Sequence, residues 1–102
     1  MITADEARKI AQNEINNLAP KELPAVIIKT IEFDEGWLFL WDSKKSVETG
    51  NILDRFLGNI PIIVEKCYGM IYRVWATDWN EKLGTPEFCS ELLRRYKNGN
   101  LE

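Results

Sequence analysis

At 102 residues and 11.8 kDa, the chain has the length of one domain, able to bury roughly 65% of its unfolded surface without disulfide staples. With 45% apolar and 28% charged residues it has ordinary globular composition, and no apolar run approaches the roughly 20 residues of a membrane-spanning helix. A net charge of −3 argues against a nucleic-acid footprint, and the lack of histidine excludes His-ligated zinc and every His-assisted nucleophile.

Met1-Ile2-Thr3-Ala4-Asp5-Glu6 carries acids where a signal peptide carries cations, so a cytoplasmic location is expected. Cys67 and Cys89 are then expected as reduced thiols. The closing Leu101-Glu102 has the look of a cloning scar, which leaves residues 1–100 as the domain.

Thr3-Ala4-Asp5-Glu6 reads as a capping box, and Ala7, Ile10, Ala11, Ile15 and Leu18 follow on one apolar stripe. A helix over 3–18, stopped by Pro20, is predicted. Ala25 to Phe33 is β-branched and meets Trp37 to Asp42 across Asp34-Glu35-Gly36. Ile60 to Lys66 meets Met70 to Ala76 across Cys67-Tyr68-Gly69. Both connections have three residues ending in glycine, so Gly36 and Gly69 are expected at positive φ.

Between the hairpins, residues 43–59 are long for a connection, and Asn51 can cap a short helix through Ile52, Leu53, Phe56 and Leu57. Thr85-Pro86 opens a last helix with Phe88, Cys89, Leu92, Leu93 and Tyr96 on its buried stripe. The fold class expected is α+β: a four-stranded, mainly antiparallel sheet of two hairpins, with N- and C-terminal helices packed on it. The order is α-β-β-(α)-β-β-α, with the helices covering one sheet face.

Two features carry functional readings, each with a plainer one beside it. Trp37, Phe39 and Trp41 share one face of their strand, while Leu38 and Leu40 share the other. Such a strand is either central and covered twice, or it offers an aromatic face, with Trp75 and Trp79, to a partner. Residues 32–55 hold Glu32, Asp34, Glu35, Asp42, Glu48 and Asp54 against Lys44, Lys45 and Arg55, so the whole net charge sits there. That stretch either steers a basic partner or merely solubilises the protein. Candidate partner-binding residues are therefore Glu32, Asp34, Glu35, Trp37, Trp41, Asp42 and Glu48. No metal-ligand spacing, phosphate loop or nucleophile motif is present, so no cofactor, metal or catalytic residue is expected. Cys67 reads as an incidental loop thiol, and Cys89 as a small core residue.

Gly36-Trp37-Leu38-Phe39, Glu48-Thr49-Gly50, Leu57 to Lys66 and Gly69-Met70-Ile71 resemble the YrhB-like proteins, grouped with the immunity protein 35 family of bacterial polymorphic toxin systems. The resemblance runs from the first helix to the last, and Gly58-Asn59-Ile60-Pro61 is its most specific part. It implies a small cytoplasmic α+β protein, not an enzyme, that neutralises a cognate toxin by forming a tight complex. Cys67-Tyr68 departs from the polar residues usual in that turn. The alternative is a general protein-interaction or chaperone-like module that binds exposed apolar surface. A carboxylate enzyme would need two acids converging on a cleft, and no such pair stands at a diagnostic spacing.

Overall fold

The computed structural model describes residues 1–50, 60–75, 77–79 and 84–99. The capping box forms as expected. Glu6 donates its N–H to Thr3 Oγ1 at 3.2 Å, and Thr3 returns its own N–H to the Glu6 carboxylate at 2.9 Å. The Thr3 amide holds that carboxyl below the usual carboxylate range. The helix it starts, α1, runs Ala4–Leu18 and ends in extended backbone at Ala19, ahead of Pro20.

Four strands follow: β1 (Ala25–Phe33), β2 (Gly36–Ser43), β3 (Ile62–Glu65) and β4 (Ile71–Arg73). Each pairs antiparallel with the next, in the spatial order β1-β2-β3-β4. A short helix, α2 (Lys44–Thr49), leaves the end of β2, and α3 (Pro86–Lys97) closes the described chain. The element order is therefore the expected α+β one. The helix predicted from Asn51 lies outside the described residues; α2 precedes it. Ser43 caps α2 by accepting the Ser46 N–H at 2.9 Å, and Gly50 ends it at φ +70°.

The helices do not share a face, contrary to the expectation. Ala7, Ala11 and Ile15 of α1 pack with Ala25, Trp37, Phe39, Trp41, Ile62 and Val64. Cys89, Leu92, Leu93 and Tyr96 of α3 pack with Ile31, Phe33, Leu38, Ile63 and Val74. The reason is that β2 and β3 are apolar on both sides, and one helix can cover only one. Small residues on α1 let it sit close above the large aromatics of β2, a match of sizes that close packing requires.

Strand β1 serves both cores by changing face along its length. Ile27 pairs with Trp41, but Lys29 pairs with Leu40, so Ile28 is an extra residue in a β-bulge. Before the bulge, Ala25 and Ile27 face α1; after it, Ile31 and Phe33 face α3. Without the bulge all four would share one face, because strand side chains alternate with period two.

The expectation for the two hairpin glycines holds at Gly69, where φ is +70°, and fails at Gly36. Phe33 pairs directly with Gly36, so Asp34-Glu35 is a two-residue turn and Gly36 already belongs to β2. Its missing side chain has a different cause. A Cβ there would stand 2.4 Å from the Val64 carbonyl oxygen of β3.

Candidate partner-binding surface

The structure scatters the residues that sequence reading grouped. Trp37 and Trp41 are 4% and 6% exposed beneath α1, so the covered-twice reading of β2 is the one realised. Trp41 also donates its indole N–H to the Ile60 carbonyl at 2.6 Å. Asp42 is 2% exposed, and its Oδ1 accepts the Ser43 N–H at 2.8 Å. These three side chains are interior, and an exposed aromatic or acidic contact from them is ruled out in this fold.

The exposed acids divide between the two ends of the sheet. Glu32, Asp34 and Glu35 lie at the β1–β2 turn. Glu48 lies on α2 beyond the far end of β2, about 25 Å of strand away. At the turn end the acids meet nearby cations. Lys66 Nζ sits 2.9 Å from Glu32 Oε2 and 5.2 Å from the centre of the Trp37 ring. Ser90 donates to Glu35 at 2.7 Å, and Glu35 shares a groove of about 240 Å³ with Ser90, Leu93, Arg94, Lys97 and Asn98. Lys97 in turn reaches Glu65, which is only 5% exposed. The acidic stretch is thus a mixed-charge end and a separate acid, not one negative surface.

A different region gathers four of the exposed large apolar side chains, the others among the described residues being Met1, Ile28 and Val47. Tyr68, Met70, Ile71 and Trp75 are 87%, 53%, 37% and 59% exposed along the β4 margin. Glu14, Ile71, Tyr72, Arg73, Trp75 and Tyr96 line an open groove of about 480 Å³ there. Arg73 is held to Glu14 of α1 at 2.6 Å. Tyr96 Oη accepts the Trp75 N–H at 2.9 Å and donates to Asp78 at 2.7 Å, while Asp78 pairs with Arg95 at 3.3 Å. Of this margin, sequence reading had only Trp75. Its signal was available: the last strand of a meander is an edge, and Met70 and Ile71 lie on it.

Desolvation pushes the Cys89 thiol up to about 11, so it holds its proton at neutral pH. Cys67 lies exposed in the β3–β4 turn. Among the described residues, no group of three His, Cys, Asp or Glu stands close enough to hold a metal ion. No helix among them is long and apolar enough to cross a membrane.

The immunity protein 35 family matches residues 5–84, from the first turn of α1 to the approach of α3. The chain belongs to that family. It is also 31% identical over 97 residues to the uncharacterized protein YrhB of Escherichia coli (strain K12), covering 95% of this chain and 90% of that protein. That second likeness includes α3, whose apolar stripe covers one sheet face. No solved structure matches the chain. The family relation is what the Gly-Asn-x-Pro segment ahead of β3 and the two hairpins led the sequence reading to expect.

Proposed function

We propose that the chain neutralises a cognate toxin protein in the cytoplasm by binding it tightly, without chemistry of its own. The match to the immunity protein 35 family over residues 5–84 carries this reading. Two features support it: the chain has no histidine, and the buried Cys89 thiol stays protonated. A nanomolar complex needs about −12 kcal/mol and an interface of about 800 Å² from each partner.

In this reading the exposed acids Glu32, Asp34, Glu35 and Glu48 speed the approach of a basic toxin, while apolar contacts hold it. The test is co-expression with the product of the adjacent gene, scored as rescue of growth and as co-purification. Replacing Asp34 and Glu48 by Lys is expected to slow association several-fold at low salt and less at high salt. Unchanged association at every salt concentration would remove steering from the reading. Failure of any neighbouring gene product to bind would sink the neutralising function itself.

The exposed Tyr68, Met70 and Trp75 favour one second reading, a module that captures apolar surface of many clients. It predicts suppression of aggregation of unrelated unfolded proteins, which a dedicated toxin binder does not.

A further inference from the structure

We propose that two copies of this chain associate through β4. The strands run antiparallel about a two-fold axis at Tyr72, so that two four-stranded sheets continue into one. The pairing of β4 with β3 decides which backbone groups face outward. Glu65 donates its N–H to Met70 at 2.9 Å, and Val74 donates to Pro61 at 2.9 Å. In an antiparallel ladder these are alternate positions, so Met70, Tyr72 and Val74 point their amides and carbonyls at β3. Ile71, Arg73 and Trp75 point theirs away. The Trp75 N–H is taken by Tyr96, and among the described residues the Ile71 and Arg73 amides meet no partner strand.

The two edges of the sheet are unlike. Strand β1 carries a bulge and an exposed Lys29, devices that blunt an edge against pairing. Strand β4 is unbulged, and its cation, Arg73, is drawn onto Glu14 instead of standing guard.

Self-pairing fits this edge in one register. With Tyr72 on the two-fold axis, Ile71 stands opposite Arg73 of the second copy, and Arg73 stands opposite its Ile71. Both outward residues then exchange both backbone bonds, and no like charges are directly opposed. Centring on Arg73 would set two cations face to face. Centring on Ile71 would waste Arg73 against the Gly69 turn. Tyr72 meets Tyr72 of the second copy at a close, non-hydrogen-bonded position, an aromatic pair that favours a sheet. The interface is isologous, as a closed dimer requires.

The exposed parts of Tyr68, Met70, Ile71 and Trp75 offer on the order of 400 Å² per copy. Adding the strand backbone, the total is roughly 1,000 Å², the lower end for a specific interface. A reversible, concentration-dependent dimer is therefore expected, distinct from any toxin complex.

The test uses the full chain in sedimentation across a concentration series. Wild type is expected to shift from monomer to dimer, and Ile71→Pro to raise the midpoint at least about tenfold. Proline at 71 removes only an outward amide, which an edge strand tolerates. A second variant needs no proline. Tyr72→Cys in a Cys67→Ser background should close an intermolecular disulfide on oxidation, since Cα atoms at such a position lie about 4.5 Å apart. Thr30→Cys on the β1 edge of the same background should not. Monomer at all concentrations with no Tyr72→Cys cross-link would overturn the proposal. So would a monomeric chain whose toxin binding is lost in Ile71→Pro, which would give the edge to a foreign strand.

Discussion

The backbone N–H of Trp75 is bonded at 2.9 Å to the hydroxyl of Tyr96, twenty-one positions later in the chain. One side chain of α3 thereby ends the open run of β4 and, through Asp78, holds the segment that leaves it. Tyr96 is 7% exposed, and loss of its hydroxyl takes the acceptor from the Trp75 amide and leaves Asp78 with Arg95.

Tyr96→Phe is accordingly expected to cost about 1–2 kcal/mol by denaturant unfolding. Burial, and then the bond to Asp78, push the Tyr96 hydroxyl up to about 12 from an ordinary 10. The folded state thus keeps its proton after the unfolded chain has lost it. The stability Tyr96 contributes is full below pH 10 and falls as pH rises towards 12, by about 2 kcal/mol at most. In Tyr96→Phe that part of the alkaline loss should disappear. Identical alkaline slopes in the two proteins would contradict the assignment.

Gly36 and Gly50 separate two reasons for glycine. Gly36→Ala drives a Cβ against the rigid Val64 carbonyl, so β2 and β3 must part locally, at about 1–3 kcal/mol. Gly50 has open space around it but φ +70°, so Gly50→Ala should cost about 1 kcal/mol of backbone strain alone. Thermal melts of the two variants compare them directly; a harmless Gly36→Ala would show that the strands are not so close.

Ile28 tests the bulge. Its side chain is half exposed, so Ile28→Thr should change stability by no more than about 0.5 kcal/mol. Deleting Ile28 is a different perturbation. It makes Ile27 and Lys29 consecutive opposite the consecutive Trp41 and Leu40, so Ala25 and Ile27 and Ile31 and Phe33 keep their faces, and cooperative unfolding is expected to survive. Loss of the native near-ultraviolet circular dichroism in the deletion variant would show that the bulge itself, and not only the facing it sets, is needed to seat β1.

What the amino-acid sequence determined by itself is local. The capping box at Thr3, the Thr85-Pro86 helix start, the four apolar strand runs and the left-handed Gly69 are decided by contacts within about four residues. The tertiary structure alone decided which surfaces those elements share. Trp37 and Trp41 read as contact or as core until α1 is placed over them. Ala25 to Phe33 reads as one plain strand until the bulge divides it between two cores. Gly36 reads as a turn residue until Val64 is brought against it. The acids of residues 32–48 read as one cluster until β2 carries Glu48 to the opposite end from Asp34. In each case the deciding contact joins segments distant in the chain, and burial depends on what covers a residue as much as on what it is.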